Sequence, residues 1–327
     1  MPSRLFKYKD PSISGGKISD VTLRWPLQNN VDALSAPFLG PLDMAEDANG
    51  NLYISSPDLH VIRKVDTNGK ITTFAGTGFH AWDGDGDLAT KALFNQPHGL
   101  AFDASGNLYV ADRNNHVVRK IDTNGIITTV AGKGGDSGFS GDGGAATSAQ
   151  IREPYDVVFD AAGNMYISSY RRIRKVDTSG IITTIAGDGG ESYRGEGGLA
   201  TSATIADPAH MVFDKSGKLY FADFGHHVVN VIDTDGKIYT VYGVGDASGS
   251  SDNDPKRLNT PFGVAYHNWK VDARNEDEEL LYIMDYHNHV IIQLQLPSGG
   301  STNAQRYTEA EIPVSYTHLT LPTKRIV

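Results

Sequence analysis

Asp43, His98, Asp156 and His210 are the residues of this chain best placed to do chemistry. Each follows a proline that opens a short apolar run, in Pro41-Leu42-Asp43, Pro97-His98-Gly99, Pro154-Tyr155-Asp156 and Pro208-Ala209-His210. A fifth copy, Pro261-Phe262-Gly263, carries no ionisable group. Two imidazoles and two carboxylates around one axis form a donor set that Zn²⁺ or Ca²⁺ accepts, and a catalytic metal there would activate water. Nucleophilic catalysis has no support: cysteine is absent, and so are a Gly-x-Ser-x-Gly elbow, a Gly-Lys-(Ser/Thr) phosphate loop and a His-Glu-x-x-His pair. Asp83-Gly84-Asp85-Gly86-Asp87 superficially resembles a calcium loop, but it lacks the glycine and the distal glutamate that such a loop needs.

Whether those four residues share an axis depends on the elements that carry them. Tyrosines at 53, 109, 166, 220 and 282 mark five units offset by 56, 57, 54 and 62 residues. Inside each unit, short β-branched and aromatic runs alternate with Asp-x-x-Gly turns, such as Asp103 to Gly106 and Asp122 to Gly125. This is the pattern of antiparallel strands joined by tight hairpins. A four-stranded sheet cannot bury both faces alone, so units of this length pack radially as the blades of an all-β propeller. Connections of the form Gly-(Asp/Glu)-Gly-Gly-x-Ala-Thr-x-Ala recur at 141–149 and 195–203, with a variant at 84–92. Blades are expected at about 34–78, 92–134, 149–189, 203–245 and 256–313. Residues 1–15 read as an extension, and 16–24 as the outer strand of a sixth, closing blade, because Gly16-Lys17-Ile18 repeats Gly69-Lys70-Ile71.

Asn115-His116-Val117 and Asn288-His289-Val290, set in this frame, resemble the motif of the NHL-repeat β-propellers, and the resemblance covers roughly residues 16–296. Blade 3 departs from it at Tyr170-Arg171-Arg172-Ile173, and blade 5 carries a charged insertion. The resemblance implies a six-bladed ring with its site at the channel mouth and on one loop face. Pro97-His98-Gly99-Leu100 is similar to the element that supplies zinc-ligating histidines in the peptidyl-hydroxyglycine amidating lyases, though only His98 matches. Resemblance to lactonase propellers would instead make Asp43 and Asp156 calcium ligands. The recurrent His60, His116, His227 and His289 lie far apart around a ring, so they read as structural, bonding the adjacent turn. The Arg-Lys pairs at 63–64, 119–120 and 174–175 read as solvated strand residues.

The expected function is noncatalytic binding of a protein, peptide or glycan, without a cofactor. Phe79, His80, Trp82, Phe139, Tyr193 and Phe224, in variable loops, are the candidate recognition face. A metal-dependent lyase or lactonase and a self-assembling structural protein are the alternatives. With 29 Lys and Arg against 39 Asp and Glu, the net charge of −10 argues against nucleic acid as partner. No apolar run is long enough to span a membrane. The composition points to an extracellular or periplasmic location. Residues 314–327 resemble a translated sequencing adapter and are set aside, which leaves an incomplete ring with open strand edges as the expectation.

Overall fold

The computed structural model describes residues 27–36, 38–245, 257–270 and 277–296, and these form five antiparallel sheets. Blade 1 comprises Met44–Glu46, Leu52–Ser56, Val61–Val65 and Lys70–Ala75, with Val31–Asp32 added at its outer edge. Blade 2 comprises Pro97–Phe102, Leu108–Asp112, Val117–Ile121 and Ile127–Ala131. Blade 3 runs through Asp156–Phe159, Met165–Ser169, Arg172–Val176 and Ile182–Ala186, and blade 4 through Pro208–Phe213, Leu219–Asp223, Val228–Ile232 and Ile238–Gly243. Blade 5 shows three strands, Pro261–Lys270, Asp277–Asp285 and Val290–Gln295. Within each sheet the order follows the chain, so every pairing is a hairpin between neighbours.

The turn chemistry explains why the aspartates recur. Asp103 Oδ1 accepts the amides of Ser105 and Asn107, both at 2.9 Å, while Gly106 takes a φ of 81°. Its Oδ2 accepts the Tyr109 hydroxyl at 3.2 Å, tying the repeated tyrosine to the repeated turn. The Tyr109 ring then meets Phe159 of the next blade edge-on at 4.8 Å, and Tyr166 meets Phe213 in the same way at 4.9 Å. Such edge-to-face pairs contribute about 0.5–1.5 kcal/mol beyond their burial. Four apolar clusters lie between consecutive blades.

Connections dock onto the outer strand of the blade that follows them. The Gly86 amide bonds Ile127 O, the Ala89 amide bonds Gly125 O, and Asp85 Oδ2 accepts the Thr129 amide at 3.0 Å. Residues 29–36 repeat this docking on blade 1. There the Asn30 amide bonds Ile71 O, the Ala33 amide bonds Gly69 O, and Asn29 Oδ1 accepts the Thr73 amide at 2.6 Å. This copy escapes the motif because Asn29 and Asn30 replace Asp and Gly; only the Ala33-x-x-Ala36 spacing survives.

The arginines of the Arg-Lys pairs are buried, contrary to the solvated reading. Arg119 and Arg174 reach inward to Asp85 at 2.7 Å and Asp142 at 2.6 Å, both supplied by the docked connections, and Arg63 bonds Thr73 at 2.6 Å. Their lysine neighbours Lys64, Lys120 and Lys175 lie over the rings of Tyr53, Tyr109 and Tyr166. Strand alternation sends the two members of each pair to opposite faces, and the docked loop covers the arginine face.

Two faces stay uncovered among the described residues. Ile62, Val118, Ile173 and Val229 are fully buried by the next blade, whereas the equivalent Ile291 of blade 5 is 46% exposed, beside exposed Met284 and Val290. On blade 1, Met44 is exposed where its counterparts Leu100 and Met211 are buried. The expected outer strand at 16–24, the segment 297–313 and the tail 314–327 lie outside the described residues.

Candidate functional site

The two residues after the proline of each Pro-x-x element are termed, in turn, the upper and the lower tier. The residue after each proline forms the upper tier: Leu42, His98, Tyr155, Ala209 and Phe262. The next residue forms the lower tier: Asp43, Gly99, Asp156, His210 and Gly263.

In the lower tier the carboxylates latch neighbouring blades. Asp43 Oδ2 accepts the Leu100 amide of blade 2 at 2.7 Å, and Asp156 Oδ2 accepts the Met211 amide of blade 4 at 2.8 Å. Asp156 Oδ1 takes the Val157 amide at 2.7 Å. Asp43 Oδ1 lies 3.8 Å from His210 Nε2, so blades 1 and 4 meet across the axis. Burial alone would pull the His210 pKa down; the carboxylates of Asp43 and Asp156 outweigh it and hold the imidazole above its ordinary value. Burial pushes Asp156 up to about 7 despite the opposing pull of His210. The lower tier is therefore a partly buried Asp–His–Asp cluster with three of its four carboxylate oxygens committed to backbone amides. His98 makes no hydrogen bond to this cluster among the described residues, though the charge of His210 reaches it. Among the described residues, no group of three or more His, Asp or Glu converges as a metal ion requires, so the four residues named for Zn²⁺ or Ca²⁺ do not form one ligand set.

The upper tier is aromatic. His98 contacts Tyr155 (ring centroids 5.7 Å apart), Tyr155 contacts Phe224 (5.6 Å), Phe224 contacts Phe262 (5.9 Å), and Phe262 contacts His210 (5.7 Å). Blade 4 offers only Ala209 at its upper-tier position, and Phe224, from the loop between its second and third strands, fills the space. Arg113 lies over the Tyr155 ring at 4.9 Å, donates to its hydroxyl at 3.3 Å and pairs with Glu153. Burial, with the charges of Arg113 and His210, lowers the His98 pKa to about 3, so this imidazole is neutral at physiological pH.

Of the other aromatics named as a recognition face, three are caps on the next blade. Trp82 Nε1 donates to Thr129 Oγ1 at 3.3 Å, Tyr193 bonds Thr240 Oγ1 through its hydroxyl, and Phe139 lies under Arg172 at 3.6 Å. Phe79, His80, Trp82 and Phe139 remain exposed, with His80 against His60 at 5.5 Å. Phe224 joins the mouth.

The repeat histidines bond the following blade rather than the adjacent turn. His60, His116 and His227 all take positive φ, and each Nδ1 accepts an amide from the next blade: Gln96 at 3.1 Å, Glu153 at 3.2 Å and Thr260 at 3.1 Å. Those three donors also have positive φ. Asp112 and Asp285 hold the same entry segments through the Asn95 and Asn259 amides, each at 2.7 Å.

Residues 79–137 and 133–194 match the family model of the teneurin NHL domain. NHL repeat-containing protein 2 of Bos taurus is 28% identical over 294 residues, covering 78% of this chain and 38% of that protein. Teneurin-m of Drosophila melanogaster is 28% identical over 250 residues, covering 68% of this chain and 9% of that protein. The chain thus spans well under half the length of these relatives. A Bacteroides thetaiotaomicron structure of unknown function superposes with a TM-score of 0.50 at 17% identity, covering 81% of this chain and 71% of that one, a likeness of fold alone. The repeated blade, the histidine clamps and these matches agree: the chain is a β-propeller similar in its repeats to the NHL-repeat proteins.

Proposed function

We propose that this propeller is a noncatalytic recognition module that binds a protein, peptide or glycan at its channel mouth. The aromatic arc drawn from blades 2 to 5 carries the reading, because partly buried His98, Phe224 and Phe262, joined through buried Tyr155, offer contiguous aromatic contact area. The lower tier is consistent with a structural part for its carboxylates: three of the four oxygens accept backbone amides, two of them from neighbouring blades. The acidic net charge supports a partner other than nucleic acid.

Glycan and peptide arrays probed with wild type and with Phe262→Ala and Phe224→Ala test this reading. Binding should be lost in both variants while their thermal unfolding stays close to wild type; array binding indifferent to both would sink it. A sixth blade is part of the same proposal, supported by the uncovered faces of blades 1 and 5. Direct packing of blade 5 on blade 1 in a crystal structure would remove it. An extracellular or periplasmic location is proposed on the similarity to the teneurin NHL domain, and cell fractionation that finds the protein only in the cytoplasm would contradict it. Among the described residues no helix is long and apolar enough to cross a membrane.

A further inference from the structure

A ladder of arginines runs outward from the mouth, from Arg113 on the blade 2 loop to Arg152 and Arg171 of blade 3, where the Asn-His motif is abandoned. Arg113 lies over Tyr155 and pairs with Glu153, and Arg152 stands 4.0 Å from the same carboxylate. The Arg152 guanidinium stacks on the Tyr170 ring at 3.9 Å, and Arg171 stacks on that ring at 4.7 Å. Arg171 then pairs with Glu191 at 3.0 Å. Three guanidiniums thus share one track with three carboxylates, Glu153, Glu191 and Asp207, the last within electrostatic reach of both Arg113 and Arg171, in a chain whose net charge is −10.

Arg152 is the informative member. Its side chain is 47% exposed, it stacks on the ring beneath it, and its one ion pair among the described residues is a long contact to a carboxylate that Arg113 already holds. A stacked guanidinium keeps its in-plane N–H groups free, and that planar fork matches a carboxylate. The break in the repeat also has a structural cost. Arg171 occupies the positive-φ position of the clamp histidines, and its amide bonds Ala206 O, so the histidine clamp between blades 3 and 4 is missing.

We infer that the Arg113–Arg152–Arg171 ladder is a docking track for an acidic peptide segment of a protein partner, with a carboxylate on Arg152 and an apolar side chain on the aromatic arc. The inference rests on the proposed mouth site. The interspersed Glu153 and Glu191 favour a peptide with discrete acidic residues over a uniformly charged polyanion, which they would repel at every second step.

Selection of phage-displayed peptides on the full chain, followed by calorimetric titration of an enriched peptide, tests it. Enriched sequences should carry Asp or Glu beside an aromatic or aliphatic residue. Arg152→Glu should weaken binding roughly tenfold or more, whereas Lys91→Glu, an equal charge change at an exposed site on the connection before blade 2, should leave it unchanged. Arg152→Gln, with milder loss expected, serves if the reversal perturbs folding. Peptides without acidic enrichment, or unchanged affinity in both Arg152 variants, overturn the inference even where Phe262→Ala abolishes binding and the mouth site stands. Loss in the Arg152 variants with none in Phe262→Ala upholds the track and removes the mouth reading. Polygalacturonate displacing every selected peptide assigns the track to a polyanion and overturns the peptide.

Discussion

Thr184 Oγ1 is buried with no hydrogen-bond partner, and its counterparts explain why. In blades 2 and 4 the equivalent threonines, Thr129 and Thr240, are met by the indole of Trp82 and the hydroxyl of Tyr193; in blade 3 the corresponding Phe139 has no polar atom. Phe139→Tyr should supply the missing partner and stabilise the chain by about 1 kcal/mol, and Tyr193→Phe should cost a similar amount; urea denaturation of both reads this directly. His98 sets a pH dependence. Its folded pKa, about 3, lies below the ordinary 6.5. The unfolded chain therefore binds the extra proton in that window, and stability present above the unfolded value is lost as pH falls through it. His98→Gln removes this slope, so between about pH 7 and pH 4.5 wild type should lose on the order of 2–3 kcal/mol more than the variant. Equal losses would show that His98 does not titrate as its burial requires.

The strands and hairpins were legible because five copies of one unit average out local ambiguity: Asp-x-x-Gly marks each turn, and the tyrosine marks each second strand. The clamp histidines were legible as structural, but their partners were not, since Gln96, Glu153 and Thr260 share a backbone conformation and no side-chain type. A donor recognised by φ leaves little trace in composition. His116→Ala should strand the Glu153 amide and destabilise the protein by about 1–2 kcal/mol; glutamine, which can still present an acceptor, should recover part of the loss in the same thermal-unfolding series. The buried arginines escaped because strand alternation fixes that Arg119 and Lys120 face opposite ways without saying which face a distant loop will cover. Of Asp43, His98, Asp156 and His210, the Pro-x-x spacing puts Asp43 3.8 Å from His210, with Asp156 in electrostatic contact with both. It could not show that backbone amides of the next blade occupy the carboxylates, or that Phe224 would fill the space beside Ala209.

Across the whole molecule the same apolar position has two environments. Val118 is sealed between blades, and Ile291 lies open on blade 5. Val118→Lys should unfold the chain, because a buried unpaired ammonium cannot be compensated. Ile291→Lys should change stability by less than about 0.5 kcal/mol and reduce self-association in sedimentation velocity, since exposed apolar faces and open edges drive pairing between chains. Strong destabilisation by Ile291→Lys would mean that this face is covered in solution.

The bonds between blades also say where the repeat can be cut. Asp43 holds Leu100, His60 holds Gln96 and Asp85 holds Thr129, so these contacts, which orient blade 2, are supplied from outside it. A blade transplanted alone from this ring into another would arrive without half of its fastenings. The module that can be inherited, duplicated or grafted is a pair of neighbours, and chimeras joined within the Asp103–Gly106 type of hairpin should tolerate exchange better than those joined at the Gly-rich connections.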